Sequence, residues 1–415
     1  MSKKVTIIGG GVNGICSAFY LQKSGFEIEI IDPTFSDAGT SYGNAGMVVP
    51  SHFMPMASPG IIAKGMKWMF DSSSPFYIRP RMDLRLLQWL WRFNKSCNTA
   101  HVENSQKLIW QYNELSKQEY KKIYKEEQLE FDFKEQGLLM LYKNEKSKNE
   151  EVEIAEHAEQ LGLKVEILDQ QGVQALNPNV EIEVLGGVYY PGDAHLYSNR
   201  FMSEMISLLK SKGVTFIQDR VVGGVVQNNK VKEIRLDNGG IRSIDQLVVT
   251  AGTWSWKILK QLGVKLLLED GKGYSITQKN IDLKPSIPSI LTDEKVAITP
   301  MASDLRITGT LEISGISTGI NKKRVQGFLD AVPRYFPEIK TSLPADQQQI
   351  WTGYRPLSFD GVPYVGRSSQ LNNLTVATGH GMMGMSLGPG TGKLVSEILL
   401  GLPTSLEVEL MKIER

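Results

Sequence analysis

The sequence predicts an α/β fold (α+β overall) that joins a Rossmann-like domain to a discontinuous mixed-sheet domain with a helical cap. Three observations predict it: a β-α-β pattern at the start, a helix-rich insertion after it, and later buried strands whose pattern again resembles that of the first region. A chain of 415 residues is long for one hydrophobic core, so two domains are expected.

The first β-α-β unit carries a glycine turn between its first strand and its helix. Gly9, Gly11 and Gly14 stand in G-x-G-x-x-G register, which lets the backbone turn sharply and approach a pyrophosphate at a helix N-terminus. Asp32 follows Gly14 by eighteen residues, at the end of the second strand, where a carboxylate can accept hydrogen bonds from ribose hydroxyls. This unit predicts a dinucleotide site, since a glycine-rich core turn would not require the terminal acid.

Composition excludes several classes of protein. The 46 basic and 45 acidic residues leave a net charge of +1, which argues against nucleic acid as a partner and favours a small-molecule substrate. Cys16 and Cys97 are too few for a disulfide framework or a thiolate metal site, so no metal is predicted. The apolar N-terminal run closes into the β-α-β unit, unlike a signal peptide, and no apolar stretch approaches the ~20 residues of a membrane span. A cytoplasmic location is therefore expected.

The organisation along the chain is discontinuous. Residues 1–57, 191–261 and 346–415 are predicted to form the nucleotide-binding domain, and residues 58–190 and 262–345 the substrate and cap domain. Periodicity and turn signals predict a buried strand over 137–142, helices over 146–162, 200–213 and 390–400, and hairpins over 221–242.

Specific motifs extend over nearly the whole chain. They are Thr40-Ser41-Tyr-Gly-Asn44-Ala45-Gly46, Lys272-Gly-Tyr-Ser275, Lys295-Val-Ala-Ile-Thr299, Trp351-Thr-Gly-Tyr-Arg-Pro-Leu357, Asp360-Gly-Val-Pro-Tyr-Val-Gly366 and Leu374-Thr-Val-Ala-Thr-Gly-His-Gly-Met-Met-Gly384. With these motifs the chain resembles the FAD-dependent amino acid oxidoreductases of the D-amino acid oxidase and glycine oxidase fold group, most closely the bacterial D-amino acid dehydrogenases. The resemblance implies FAD as the cofactor, in preference to NAD.

Each predicted cofactor contact has a physical reason. Hydroxyls and amides at Thr40 and Ser41 can bind diphosphate oxygens, and small residues after Asn44 would let main-chain amides reach the flavin edge. Val222 matches the family position whose main chain meets adenine, and a helix N-terminus near His380 would present amides where reduced flavin carries negative charge. The alternative for Thr40 and Ser41 is a polar turn without a ligand. The alternative for Val222 is an ordinary strand residue. The predicted FAD-binding residues are Gly9, Gly11, Val12, Asn13, Gly14, Asp32, Pro33, Thr40, Ser41, Asn44, Ala45, Gly46, Met47, Val222, Ala251, Gly252, Trp254, Gly353, Gly379, His380, Gly381, Met382, Met383 and Gly384.

Four residues are candidates for the substrate site. Arg355 matches the arginine that grips the substrate carboxylate in the family, and a planar guanidinium suits paired hydrogen bonds to that group; a structural ion pair is the alternative. Tyr274 and His52 could line the pocket, although core packing and a surface loop explain them equally well. His380 could be a base, but a histidine in a glycine-rich turn is more often a hydrogen-bonded structural group.

The resemblance implies oxidative deamination of a D-amino acid. Hydride would pass from the substrate Cα to flavin N5, giving an imino acid and then a 2-oxo acid, and electrons would pass to a quinone or another non-oxygen acceptor. The alternatives are a D-proline or cis-4-hydroxy-D-proline dehydrogenase, a glycine or sarcosine-type oxidase, and a non-catalytic flavin-binding assembly factor. Ala297 stands where glycine oxidases carry a substrate-binding tyrosine, which favours the dehydrogenase branch and a different pocket. Some sarcosine oxidases attach flavin through a cysteine near the C-terminus, but no cysteine follows Cys97 here, so the FAD is expected to be dissociable.

Family members are associated with the membrane, which implies a possible peripheral contact on the inner face of the cytoplasmic membrane. Residues 66–70 and 84–93 combine large apolar side chains with Lys67, Arg85 and Arg92, as an interfacial patch would. Packing within the cap explains the same pattern. The sequence makes no prediction of the oligomeric state.

Overall fold

The computed structural model describes residues 4–36, 39–69, 75–317, 319–344, 346 and 349–415. The helices are α1 (Val12–Lys23), α2 (Ile61–Met69), α3 (Leu84–Ser96), α4 (Thr99–Glu126), α5 (Glu145–Gln160), α6 (Gln170–Leu176), α7 (Ser198–Ser211), α8 (Ser255–Gln261), α9 (Lys322–Tyr335) and α10 (Gly388–Leu400). The strands are β1 (Lys4–Ile8), β2 (Glu27–Asp32), β3 (Met47–Val48), β4 (Phe76–Ile78), β5 (Leu138–Tyr142), β6 (Glu166–Asp169), β7 (Gly186–Tyr190), β8 (Ala194–His195), β9 (Thr215–Gln218), β10 (Val221–Gln227), β11 (Lys230–Leu236), β12 (Ile241–Ser243), β13 (Gln246–Val249), β14 (Leu268–Gln278), β15 (Ser289–Leu291), β16 (Val296–Met301), β17 (Asp304–Ile313), β18 (Ile350–Ser358), β19 (Tyr364–Arg367) and β20 (Leu374–Thr378).

One six-stranded sheet has the order β19-β20-β13-β1-β2-β9. Its central strands pair in parallel, and only β19 runs antiparallel, against β20. The strands β1, β2, β13 and β20 are almost entirely buried and rich in branched apolar residues. This sheet brings the carboxyl ends of β1, β2 and β13 to one edge, where ligands bind in open α/β sheets.

Close packing of α10 on α1 depends on a glycine. A Cβ at Gly392 would lie 2.4 Å from the carbonyl carbon and oxygen of Cys16, so only glycine lets the two helices approach this closely. Ile15, Phe19, Leu394 and the rest of the surrounding cluster are buried, and they form the largest apolar core on this face of the sheet.

A second sheet follows the order β18-β14-β17-β16-β15-β5-β7-β6, with β4 added alongside β17. The registers align a row of residues across four of its strands: Thr308 opposite Ala297, Ala297 opposite Ile290, and Ile290 opposite Met140. This row makes one face of the sheet the floor of a large cavity.

The cap helix α3 is fastened to β14 by buried ion pairs. Arg81, just before the helix, lies 2.6 Å from the Glu269 carboxylate, and Arg85 lies 3.3 Å from both Glu269 and Asp270. Trp89 is buried on the same helix and donates a hydrogen bond of 3.0 Å to the carbonyl of Leu357. Helix α3 is therefore held to two neighbouring strands of the second sheet.

The predicted elements compare well with the structure. The strand over 137–142 and the helices over 146–162, 200–213 and 390–400 are confirmed as β5, α5, α7 and α10, and the hairpins over 221–242 as β10 to β12. The segment 346–415 supplies β19 and β20 to the first sheet but β18 to the second, and the domain boundaries stay a prediction.

The predicted interfacial patch is only partly described. Phe70 lies outside the described residues, as do the side chains of residues 67–69. Arg85 contradicts the prediction, because its guanidinium binds Glu269 and Asp270 and so is directed into the protein. Among the described residues, no helix is both long and apolar enough to cross a bilayer.

We expect Gly392→Ala to lower the thermal unfolding temperature. Overpacking against Cys16 costs about 1–3 kcal/mol, and the higher helix propensity of alanine returns only about 1 kcal/mol of it. Differential scanning calorimetry would measure the effect. Gly366→Ala is the matched control, because a Cβ there meets no described atom within 4 Å. Equal unfolding temperatures for the two variants would contradict the proposed helix contact.

Candidate active site

A single cavity of about 1520 Å³ extends between the two sheets. It begins at the glycine turn after β1 and reaches the face of the second sheet where Arg355 and Tyr274 lie. The carboxyl ends of β1, β2 and β13 form one wall, and strands β14 to β18 form the other. The cavity is mostly apolar in its lining, with few charged groups, as ligand sites usually are.

The glycine turn has the geometry that the sequence predicts. Gly9 has a φ of +111°, and a Cβ there would lie 2.6 Å from the backbone of Thr250, directly after β13. A Cβ at Gly14 would lie 1.9 Å from the Gly9 carbonyl oxygen, so this glycine lets α1 begin directly over the turn. Gly11 is the N-cap of α1, and the first turn of that helix has no acidic side chain. The positive end of the helix therefore opens on the cavity with no acidic side chain in its own first turn.

Asp32 and Ser41 are held by backbone amides beside this turn. The Asp32 carboxylate accepts hydrogen bonds from the N–H groups of Gly10 (2.7 Å) and Thr34 (2.9 Å). Burial raises the pKa of Asp32, although these two amide bonds oppose the shift. The Ser41 hydroxyl accepts from the N–H of Val12 at 2.9 Å, in the first turn of α1. Both side chains line the cavity at its nucleotide end.

A buried arginine that sequence reasoning missed fastens the loop before β3. Arg306, on β17, donates hydrogen bonds of 2.8 Å to the carbonyls of Tyr42 and Asn44. The Asn44 side chain accepts from the N–H of Gly46 at 2.8 Å and so closes a local turn. Arg306 is 3% exposed and ties a loop of the first domain to the second sheet. An isolated Arg in an apolar strand was the only signal for it in the sequence.

His380 has both ring nitrogens bonded. Nδ1 lies 3.0 Å from the Asn13 amide nitrogen, and Nε2 lies 3.0 Å from the Thr391 hydroxyl. Because the amide nitrogen can only donate, Nδ1 accepts and Nε2 carries the proton. Thr391 donates its own proton to the carbonyl of Leu387, which agrees with this tautomer. Burial lowers the pKa of His380 to about 3, so the imidazole is neutral and links α1 to α10.

Most of the predicted site residues meet at this cavity. Those that line it are Gly9, Gly11, Val12, Asn13, Asp32, Pro33, Thr40, Ser41, Asn44, Ala45, Met47, His52, Val222, Ala251, Gly252, Trp254, Tyr274, Gly353, Arg355, His380, Gly381, Met382, Met383 and Gly384. Gly14, Gly46 and Gly379 lie behind the lining, where their missing side chains make room for Gly9, Leu196 and Tyr364.

Trp351 is a second residue that sequence reasoning did not single out. A Cβ at Gly43 or at Gly353 would lie 1.9 Å from its indole ring, so the ring packs against a glycine of the loop before β3 and a glycine of β18. Its Nε1 is buried and has no hydrogen-bond partner among the described residues. Other atoms of Trp351 line the cavity.

Arg355 lies over a glycine of the neighbouring strand. A Cβ at Gly273 would be 2.2 Å from Nη1 of Arg355, so any other residue there would displace the guanidinium. Nη1 donates to the carbonyl of Thr310 at 2.6 Å, and no carboxylate of the described residues pairs with this arginine. Burial lowers its pKa to about 10, which leaves it charged at neutral pH. The arrangement is a cation that faces a cavity without an anionic partner.

Tyr274 and His52 also line this cavity. The Tyr274 hydroxyl donates to Glu312 at 3.2 Å and accepts from the N–H of Asn321 at 3.1 Å, so both of its partners lie within the protein. His52 lies 3.2 Å from the Ser51 hydroxyl through Nδ1, and burial lowers its pKa to about 4.

Comparison with known proteins decides the family. The profile of the DAO family, described as FAD dependent oxidoreductase, matches residues 4–398. The chain belongs to this family. It is 32% identical to a D-amino acid dehydrogenase of Rhizorhabdus wittichii over 99% of this chain and all of that protein, and 30% identical to one of Granulibacter bethesdensis over 96% of each.

Solved structures share the DAO fold at low sequence identity. Glycine oxidase from Geobacillus kaustophilus superposes with a TM-score of 0.78 at 19% identity, covering 100% of this chain and 99% of that one. L-Proline dehydrogenase from P. horikoshii gives a TM-score of 0.75, also at 19% identity, covering 100% of this chain and 97% of that one. The predicted fold class is confirmed, and so are the assignment as an oxidoreductase and FAD as its cofactor.

The cavity fits FAD on physical grounds. A Cβ at Gly11 would meet only the Ser41 hydroxyl, at 3.3 Å, and one at Gly252 would meet no described atom within 4 Å, so both backbones are open to a ligand. The N-terminus of α1 and the Ser41 hydroxyl would hold the diphosphate, and Asp32 would hold the ribose. Amides between His380 and Gly384 would face the flavin.

We expect acid precipitation to release FAD into the supernatant. No cysteine is among the described residues that line the cavity, and Cys16 is buried within α1, so a thioether to the flavin has no donor. Absorbance spectra of pellet and supernatant would measure the distribution of the yellow colour. Colour retained by the pellet would show a covalent link and contradict this expectation.

Proposed function

We propose that the protein oxidises D-amino acids to imino acids, which water then hydrolyses to 2-oxo acids, and that it passes the electrons to a quinone or another non-oxygen acceptor. The observation that carries the proposal is the charged guanidinium of Arg355, which faces the cavity without a carboxylate partner among the described residues. The names of the relatives from Rhizorhabdus wittichii and Granulibacter bethesdensis support the same reaction class.

Arg355 suits a carboxylate better than any other ligand group. One guanidinium nitrogen is committed to Thr310, which fixes the plane of the group over Gly273. A substrate carboxylate would supply the missing negative charge and accept charge-assisted hydrogen bonds in a site of low dielectric constant. An assembly factor without turnover would not require such a cation at the wall of its cofactor cavity.

Fixed binding of the carboxylate would impose the stereochemistry. Bound FAD supplies the two-electron acceptor for the hydrogen on the substrate Cα. The wall formed by Arg355 and Tyr274 would orient that C–H bond, and inverting the carbon centre would exchange the hydrogen with the side chain or the amine. Only one enantiomer can then react, and the relatives' names favour the D form.

The cap offers a surface for a membrane-bound acceptor. On α3, Leu84 is 78% exposed, Leu87 51% and Trp91 56%, while Leu86 and Trp89 are buried. Lys95 lies 3.8 Å from the centroid of the Trp91 ring and adds a positive charge beside this apolar strip. Large apolar residues with flanking cations are typical of interfacial helices. We infer a peripheral contact at this surface, through which a quinone could approach the cavity.

We expect Arg355→Lys and Arg355→Ala to weaken substrate binding with FAD retained. Lysine keeps the charge but loses the planar fork, and alanine loses both. A charged hydrogen bond is worth roughly 1.5–3 kcal/mol, so the apparent substrate Kd should rise about tenfold or more. Anaerobic flavin bleaching as a function of substrate concentration would measure it.

Arg367→Lys is the matched control for this experiment. Arg367 donates hydrogen bonds to the carbonyls of Ile398 and Leu399 at the end of α10 and lies on the surface. Its substitution should leave substrate binding unchanged. Normal bleaching by both Arg355 variants would remove the basis of the proposed function.

We expect preferential bleaching by D enantiomers and slow reoxidation by oxygen. Stopped-flow mixing with D- and L-alanine, D- and L-proline and cis-4-hydroxy-D-proline would rank the substrates, since the reaction class admits both primary and cyclic amines. Reoxidation would then be compared between air and a soluble quinone. Bleaching by an L enantiomer would contradict the stereochemistry, and rapid peroxide formation in air would contradict the acceptor.

A further inference from the structure

A hydrogen-bonded chain of three side chains runs from the protein interior to the cavity. Asp193 is 1% exposed and accepts hydrogen bonds from the Ser51 hydroxyl at 2.5 Å and the Ser51 N–H at 3.1 Å. The same hydroxyl oxygen lies 3.2 Å from Nδ1 of His52. Ser51 and His52 both line the cavity, whereas Asp193 does not. A buried acid is therefore connected to the cavity by a hydroxyl and an imidazole.

The direction of the hydrogen bonds follows from the single proton of the Ser51 hydroxyl. While the Asp193 carboxylate is ionised it can only accept, so Ser51 donates to it. The Ser51 oxygen must then accept from His52, which places a proton on Nδ1 and leaves the lone pair on Nε2. When Asp193 is protonated the whole chain reverses: the acid donates to Ser51, Ser51 donates to Nδ1, and Nε2 carries the proton.

The environment favours storage of a proton on Asp193 over storage on His52. Burial raises the pKa of Asp193 to about 7, although the two bonds from Ser51 and the nearby Lys117 oppose the shift. Burial and the charge of Lys295 lower the pKa of His52 to about 4. The titratable or charged side chains that face the chain from neighbouring elements are Glu114 and Lys117 on α4, Glu151 on α5, Tyr190 on β7, and Lys295 before β16.

We propose that His52, Ser51 and Asp193 form a proton relay that accepts the proton which the substrate ammonium must lose before its Cα hydrogen can leave as hydride. The inference rests on the proposed function, since it requires an amino acid substrate in the cavity. His52 Nε2 takes the ammonium proton, Nδ1 passes its own proton to the Ser51 oxygen, and Ser51 passes its proton to the Asp193 carboxylate. The ammonium and the carboxylate both become neutral, so charge and protons balance. His52 is the catalytic residue of the chain, and Ser51 and Asp193 act through it.

The relay avoids a charged imidazole at the apolar wall of the cavity. A proton kept on His52 would leave an imidazolium in the cavity wall, where burial and the charge of Lys295 disfavour the charged form. Transfer to Asp193 instead removes a buried negative charge. The base is thereby matched to neutral pH, which is the condition for efficient general base catalysis.

Asp193→Asn tests the relay in the holoenzyme, because asparagine keeps an oxygen for Ser51 but cannot store the proton. For the wild type, the second-order rate of anaerobic flavin reduction by a D-amino acid should fall as the pH drops below about 7. In the variant the fall in this rate should begin at a higher pH, at the pKa of the free ammonium. At neutral pH the rate should be roughly 10²-fold lower than in the wild type, and the difference should shrink as the pH rises. An unchanged pH profile would overturn the relay.

Asp304→Asn is the matched control. Asp304 is also a buried aspartate that accepts from a hydroxyl, of Tyr197 at 2.5 Å, and from a backbone N–H, of Asn280 at 3.1 Å. Asp304 lies outside the cavity lining, so the rate of flavin reduction by Asp304→Asn should depend on pH as it does in the wild type. If Asp193→Asn does not fold, Ser51→Ala breaks the same chain, and Ser51→Thr should restore the profile by returning a hydroxyl.

A readout without turnover separates the relay from the proposed function. In protein labelled with ¹⁵N at its five histidines, NMR should show one imidazole, assigned by its loss in His52→Gln, that changes from the Nδ1–H to the Nε2–H tautomer as the pH falls. The midpoint should match that of Asp193 protonation, and the change should vanish in Asp193→Asn and Ser51→Ala. A fixed His52 tautomer across this range would overturn the relay. A tautomer change in a protein whose flavin no amino acid bleaches would support the proton chain and overturn the proposed function.

Discussion

The antiparallel pairing of β14 with β18 is the constraint on which the site depends. It runs without interruption from Leu268 opposite Ser358 to Ile276 opposite Ile350. This register places Arg355 opposite Gly271, two residue pairs away from Gly273, whose missing side chain makes room for the guanidinium. A slip of one residue would turn Arg355 to the other face of the sheet. The buried ion pairs between the start of α3 and β14 fasten the same strand to the cap helix.

Three polar side chains of the cavity wall are held in different ways. The Asp32 carboxylate is held by two backbone amides, Arg355 by one carbonyl, and His380 is kept neutral between an amide and a hydroxyl. Burial makes each of these arrangements energetically strong, because an unmatched polar group in a low dielectric is costly. Arg306 takes no part in the chemistry, but it fixes the loop before β3 that contributes to the cavity wall.

The local motifs were predictable from the sequence, but the long-range contacts were not. The glycine turn and Asp32 obey spacing rules that act within one β-α-β unit, so their geometry could be read directly from the chain. Arg85 was misjudged, because an arginine on an amphipathic helix looks solvent-exposed until the acids that it meets on β14 are known. The partnership of Ser51 with Asp193 joins residues 142 positions apart, and no pattern of periodicity or spacing carries such information.

The six-stranded sheet has a consequence for biosynthesis. Strand β1 can pair with β2 early, but its other neighbour, β13, begins at Gln246, and β20, which completes that side, begins at Leu374. At about 5–20 residues per second, a ribosome would need roughly 20–70 s to supply the missing partners. During that interval the nascent chain exposes an apolar strand edge, which is a template for aggregation. Such a topology makes the newly made protein a natural client for chaperones that shield hydrophobic segments until synthesis ends.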